Sequence, residues 1–312
     1  MWNSAGREAA GAKQCGRLLC SNLKLPQSSV FYRCYSTASN HLSSFTAFVY
    51  VCYMFIKRDF MLFVEMRDVK TLPPVGGQVV GLTLLGDELF VLYHRDDNQV
   101  VVYSAETSAD YEQLRQFSIH DYHDNYYCDM TSCERHKCLY ISDIENIHKL
   151  TINGELIAKW PMGGGRIGLS LTPSNNLLTG VCTEIDNESG KVIRQAAPLQ
   201  SDINRPMHAV QLADRHYVVA HGVYYDGRVS VVDVNGQVVL SYGDVIEPLH
   251  IAVDKDNFIF VADYDNKMTL LSPSLQLVRH IEGAAGRLYF DQKTRRLYAS
   301  QCEGYEVTII QT

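Results

Sequence analysis

The sequence predicts an all-β fold, a six-bladed β-propeller of four-stranded antiparallel blades, and three observations carry that prediction. The first is a unit of about 40 residues that recurs along the chain, a period within the range of propellers and solenoids. CLYISDIENIHKLTINGELIAKW (Cys138–Trp160) lies 120 residues before NFIFVADYDNKMTLLSPSLQLVRH, so that Tyr140 meets Phe260, Asp143 meets Asp263 and Leu150 meets Leu270. RPMHAVQLADRHYVVAHG (Arg205–Gly222) matches EPLHIAVDKDNFIFVADY (Glu247–Tyr264) at an offset of 42, which puts Pro206 on Pro248 and His208 on His250. The second is that each unit holds apolar runs of four to six residues, rich in Val, Ile, Leu, Phe and Tyr, between polar turns. Such runs read as strands. The third is that Asn153–Gly154 and Asn235–Gly236 each sit between alternating runs. Asn-Gly in that setting signals a two-residue hairpin turn, with positive φ expected at both positions. No window sustains a helical period, and six units of four strands make a propeller.

In chain order, residues 1–58 come first and read as an irregular extension, disordered or targeting in character. They carry seven Lys/Arg and one acid, Glu8. Residues 1–35, with FYRCYST, resemble a mitochondrial transit peptide in being serine- and arginine-bearing and poor in acids. FTAFVYVCYMFI (Phe45–Ile56) is a run of twelve, short of the roughly 20 apolar residues that cross a bilayer. No membrane span is expected. FMLFVEM (Phe60–Met66) is expected to complete the last blade, closing the ring and removing exposed edges.

The blades are placed at 73–119, 123–162, 163–202, 203–243, 244–283 and 284–312, all within a propeller domain of 59–312. The third is the weakest, because TEIDNESG occupies the place of its third strand. The last lacks room for its outermost strand, which is why a strand from before the first blade is needed.

Composition narrows the function classes. Of 28 basic and 35 acidic groups, residues 59–312 keep 21 and 34, a net charge of −13. A body that acidic repels a phosphate backbone, so nucleic acid is an unfavoured partner. Nine cysteines is an odd number in a chain long enough to build its own core. The expected compartment is therefore the cytoplasm, or the mitochondrion if residues 1–35 act as a transit peptide, and the expected state is a monomer.

PLHIAVDKDNFIFVADYDNKMTLL in the fifth blade resembles the NHL repeat: a proline, an Ala-Val-Asp strand, a Val-Ala-Asp strand, then an asparagine and a hydrophobic strand. The second and fourth blades match less closely. The Asn-His-Leu signature reads Asn266-Lys267-Met268 here, and His208 and His250 stand where the family has glycine. The resemblance implies a platform that recruits protein partners, RNA in some members, and in one branch a zinc-dependent amidating lyase. No RING or B-box pattern precedes the repeats, so no ligase activity is implied.

Several residue groups are candidates for chemistry. Asp143, Asp254 and Asp263 each follow a strand, and their repetition in different blades reads as turn capping, since a catalytic acid is needed once. Cys128, Cys133, His136 and Cys138 fall within eleven residues. Their spacing lacks the paired C-x₂-C knuckle of zinc sites, so they read as weak metal candidates, with His136 solvated. No cofactor is expected. Repeat phase puts Val80, Met130, Gly168, His208, His250 and Arg287 in equivalent places near the channel mouth. His208, His250 and Arg287 there make the alternative function a metal-dependent lyase or hydrolase, although two histidines fall short of three protein ligands. No catalytic residue is assigned. The leading expectation is a scaffold that binds a protein or peptide, one with a basic segment, through loops at one face. The loop residues expected to touch it are Tyr93, His94, Arg95, His120, Tyr122, His123, Tyr224 and Tyr225.

Overall fold

The computed structural model describes residues 67–72, 77–94, 98–105, 111–119, 128–162, 168–195, 202–282, 286–301 and 306–312. All belong to one compact unit spanning residues 65–312. The extension 1–58 and the run Phe60–Met66 lie outside the described residues.

Among the described residues, twenty-four strands form six four-stranded antiparallel sheets. β1 (Arg67–Thr71) stands before the first blade, which comprises β2 (Gln78–Leu85), β3 (Glu88–His94), β4 (Gln99–Ser104) and β5 (Gln113–Ser118). The second comprises β6 (Asp129–Cys133), β7 (Cys138–Ser142), β8 (Asn146–Thr151) and β9 (Leu156–Pro161). The third, with strands of only three or four residues, comprises β10 (Leu169–Leu171), β11 (Leu177–Thr179), β12 (Thr183–Ile185) and β13 (Val192–Gln195). It is short, as its sequence suggested, but all four strands are present. The fourth comprises β14 (Pro206–Gln211), β15 (Tyr217–His221), β16 (Arg228–Val232) and β17 (Val238–Tyr242); the fifth, β18 (Pro248–Val253), β19 (Ile259–Asp263), β20 (Lys267–Leu271) and β21 (Leu277–Glu282). The sixth chain segment supplies β22 (Leu288–Asp291), β23 (Arg296–Ser300) and β24 (Val307–Gln311).

β1 completes the sixth blade by pairing with β24, Lys70 opposite Ile309 and Thr71 opposite Thr308. The strand observed to pair is thus Arg67–Thr71, directly after the apolar run expected to do so. An outermost strand supplies backbone hydrogen bonds and faces water, so the polar RDVKT suits the place; Lys70 and Thr71 are exposed.

Six apolar clusters, one per interface between neighbouring blades, hold the ring. Val101 and Tyr103 of the first blade pack with Tyr298 and Ile309 of the sixth, and Leu72 joins them. Phe90 and Leu92 meet Met130 and Leu139; Tyr140 and Trp160 meet Leu169 and Leu177; Leu178 meets Ala209 and Val219. Val218 and Val229 meet Ile251 and Val261, and Phe260 stacks on Phe290, with ring centroids 5.6 Å apart. Inner strands such as β7, β15 and β19 are therefore buried on both faces, whereas β9 and β17 are largely exposed. Near-continuous apolar runs in the inner strands follow from this double burial.

One loop geometry joins strands on one side of the ring. In the turn Thr151–Glu155, Gly154 N–H donates to Thr151 O at 3.0 Å and Thr151 N–H to Glu155 O at 2.8 Å. Only Gly154 has positive φ, at 87°. This is a type I turn followed by a left-handed residue, not the two-residue turn that Asn-Gly suggested, since Asn153 keeps an ordinary φ. The same bonds recur around Gly236, Asn257, Asn175, Arg215 and Leu275, all at positive φ.

Candidate functional site

Two sites emerge: a polar hub at the ring centre and a cavity in the fourth blade. The innermost strands β14 and β18 each carry a register irregularity near their start, between Pro206 and His208 and between Pro248 and His250. A bulge re-aims the side chain that follows it. It therefore undoes the reversal of face that one residue between proline and histidine would cause in a regular strand. The rings of His208 and His250 stack with centroids 3.7 Å apart at 28°.

Asp129, at the start of β6, faces both rings. Its Oδ2 lies 3.4 Å from His250 Nε2 and 3.7 Å from His208 Nε2. The same oxygen accepts from Leu169 N–H at 2.8 Å, and Oδ1 accepts from Met130 N–H at 2.8 Å. His208 Nε2 is also 3.1 Å from Leu169 O. All three side chains are buried, with 1%, 2% and 6% of Asp129, His208 and His250 exposed. Burial alone would raise the Asp129 pKa, but the attraction and hydrogen bond of His250, then Arg287 and His208, hold it at about 2. Burial and the neighbouring His250 lower His208 to about 3, against the pull of Asp129, so its ring is neutral near pH 7. Among the described residues, Asp129, His208 and His250 form the one cluster of His, Cys, Asp and Glu groups whose ligand atoms lie within 4.8 Å of one another.

Arg287 does not join this cluster as an anion or metal contact. Its Nε donates to Val80 O at 2.8 Å and its Nη2 to Cys128 O at 2.6 Å, which ties the sixth blade to the first and second. Gly168 fits the same pattern, because a Cβ there would fall far inside van der Waals contact of the Met207 carbonyl. Asp129, Gly168, His208, His250 and Arg287, with the Val80 carbonyl, thus form one hub that touches every blade, whereas the Met130 side chain packs between the first and second blades.

Asp129 escaped the sequence reading for a physical reason. The β6–β7 hairpin is one residue longer than β18–β19, since Asp129 pairs with Ser142 but His250 with Ala262, so the 120-residue offset set Met130, not Asp129, against His250. An aspartate one residue earlier, in a strand without the Pro-x-His pattern, was the available signal.

The cysteine candidates are not brought together. Cys133 and Cys138 are cross-strand partners in the β6–β7 hairpin, buried and free. Cys128 lies beyond the other end of β6, about 16 Å along the strand from Cys133. His136 is part-buried in the turn, 3.8 Å from Glu188, and not fully solvated as its position suggested. The aspartates cap turns: Asp254 Oδ1 accepts from Asp256 and Phe258 N–H, both at 2.8 Å, and Asp263 Oδ1 from Asp265 and Lys267 N–H. Asp143 accepts from Glu145 and Asn146 N–H and holds buried His148 at 2.7 Å.

Of the loop residues expected to meet a partner, Tyr93 is fully buried at the interface of the first and sixth blades, which removes it from any contact surface. His94 ends β3, and Arg95, His120, Tyr122 and His123 lie outside the described residues. Tyr224 and Tyr225 are 70% and 89% exposed. They sit on a 3₁₀ turn, Tyr224–Asp226, where Tyr224 holds a φ of 51° while its carbonyl accepts from Gly227 and Glu247 N–H. Beside this turn is a cavity of about 420 Å³ lined by His221, Asp202, Asp226, Arg228, Ser230 and Ser241, among others. His221 Nε2 and Ser230 Oγ share a hydrogen bond at 2.8 Å, and Ser230 Oγ lies 3.1 Å from Ser241 Oγ. Burial, then Arg228, lowers His221 to about 4.

No family model and no curated protein matches the sequence. Solved structures do share the fold. The WD40 β-propeller domain of Doa1 is 13% identical with a TM-score of 0.57, over 77% of this chain and 95% of its own. An inactive variant of virginiamycin B lyase from Staphylococcus aureus, determined with quinupristin, is 10% identical with a TM-score of 0.55, over 78% and 100%. A protein of unknown function from Bacteroides caccae is 15% identical with a TM-score of 0.54, over 68% and 81%. At such identities the likeness is one of fold. Among the described residues no helix is long and apolar enough to cross a membrane.

Proposed function

We propose that the chain is an interaction platform that takes a peptide segment of a protein partner at the loop face of the fourth blade. The observation that carries this reading is the pair Tyr224–Tyr225, exposed on a turn held in place by backbone hydrogen bonds, beside a cavity of about 420 Å³. That volume lies in the range of ligand sites, and exposed tyrosines offer large contact area at low entropic cost. Asp202 and Asp226 line the cavity, and the propeller body has a net charge of −13, so the peptide expected is basic. The NHL-like pattern of the fifth blade supports the same reading, since such propellers serve mainly as platforms. A lyase or hydrolase at the hub has less support, because Arg287 is engaged by two carbonyls and the cluster is closed in.

The test is selection from a random peptide library on the full chain, followed by affinity measurement with Tyr224→Ala/Tyr225→Ala. Enrichment of basic peptides whose binding falls at least tenfold in the variant supports the proposal. Enrichment that ignores the tyrosines overturns it.

A further inference from the structure

A second inference stands apart from the platform reading and concerns the hub. We infer that Asp129, His208 and His250 bind a divalent transition-metal ion of the zinc class, which clamps the second, fourth and fifth blades together at the ring centre.

Geometry is the first support. Ligands at about 2.0–2.1 Å from a tetrahedral zinc lie roughly 3.3–3.4 Å from one another. The carboxylate oxygen Oδ2 stands 3.4 Å from His250 Nε2 and 3.7 Å from His208 Nε2, so small side-chain shifts reach that edge length. Two imidazoles and one carboxylate are a donor set suited to zinc and its first-row neighbours.

The surroundings are the second support. A ligating carboxylate is normally oriented by further hydrogen bonds, and Asp129 receives them from the Met130 and Leu169 N–H groups. Leu169 O borders the same space, 3.1 Å from His208 Nε2.

Binding is balanced without any external reagent. The ion takes the place of any proton carried on the two Nε2 atoms. A neutral ring moves its proton to Nδ1, and a protonated ring releases one proton to solvent.

The experiment uses the full chain, stripped with chelator and titrated with Zn²⁺, then with Co²⁺ as a visible probe. The expected result is one ion per chain, a Co²⁺ absorption band of tetrahedral type, and a rise in Tm on Zn²⁺ addition. His250→Ala is expected to weaken binding by at least roughly tenfold, since even loss of an outer-shell partner costs that much. Cys133→Ser/Cys138→Ser is expected to leave it unchanged. Should a substitution unfold the chain, the Co²⁺ spectrum of the wild-type protein still decides between nitrogen–oxygen ligation and thiolate ligation. Failure of the folded wild-type chain to bind stoichiometric metal overturns the inference, as does a thiolate charge-transfer band or binding that depends on the cysteines. None of these results bears on the tyrosine face, so the two proposals fail separately.

Discussion

Asp129 of the second blade and His250 of the fifth meet 3.4 Å apart, although their blades stand opposite each other in a ring of six. The contact therefore lies at the axis and closes the channel at that level. Arg287 adds the first, second and sixth blades, and Leu169 adds the third. A buried charge held this way resists removal more than it adds net stability, because breaking a buried pair strands the partner. Asp129→Ala in chelator-treated protein is expected to cost roughly 3–5 kcal/mol in urea unfolding. A double-mutant cycle with His250→Ala should show a coupling of roughly 1–3 kcal/mol; additive losses would mean the pair is incidental.

Gly168 and Gly243 make a matched comparison of packing. A Cβ on Gly168 collides with the backbone of Met207 and with His208, whereas a Cβ on Gly243 meets nothing within 4 Å. Gly168→Ala is expected to destabilise by roughly 1–3 kcal/mol, by forcing the third and fourth blades apart. Gly243→Ala should stay within about 0.5 kcal/mol of wild type. Denaturant midpoints of the two variants measure the difference.

Arg215 occupies the left-handed position of its turn at a φ of 70°, where four turns of the same geometry use glycine or asparagine and one uses Leu275. Its side chain is exposed, so little packing is lost on removing it. Arg215→Gly is expected to gain up to about 1 kcal/mol by relieving the left-handed penalty, less the entropy glycine adds to the unfolded chain. Thermal unfolding of the variant gives the sign directly.

His221 sets a pH dependence. Burial, then Arg228, holds its pKa at about 4, below the ordinary 6.5, so the unfolded chain binds the proton more readily. Its contribution is full above pH 6.5 and is lost as pH falls toward 4, up to roughly 3 kcal/mol. His221→Gln should flatten the stability profile between pH 7 and 4.5 relative to wild type. An unchanged slope would mean that water reaches the ring in the native state.

Much of the architecture was legible because strands in a ring repeat one burial pattern. The 42-residue offset between Arg205–Gly222 and Glu247–Tyr264 maps onto β14–β15 and β18–β19 in identical register, bulge included. The hub was half legible. His208 and His250 announced themselves through the proline two residues before each, but Asp129 precedes a hairpin one residue longer, which shifts its phase by one. The fourth-blade cavity was not legible, since its lining is scattered over β15, β16, β17 and the loops beside them. Of its surroundings only Tyr224 and Tyr225 stood out in the sequence, as aromatics between strands. Tyr93 stood out equally and proved to be core, because an aromatic at a strand end can face an interblade contact as readily as water.

The platform reading is tested most directly by placing a photo-crosslinking residue at Tyr225 in one sample and at Asn235 in another. Asn235 lies in the turn between β16 and β17, at the opposite end of β16 from the tyrosine turn. With a basic peptide selected on the wild-type chain, crosslinking from position 225 and not from 235 is the expected result. Equal crosslinking from both positions, or crosslinking from 235 alone, would contradict a binding site at the tyrosine face.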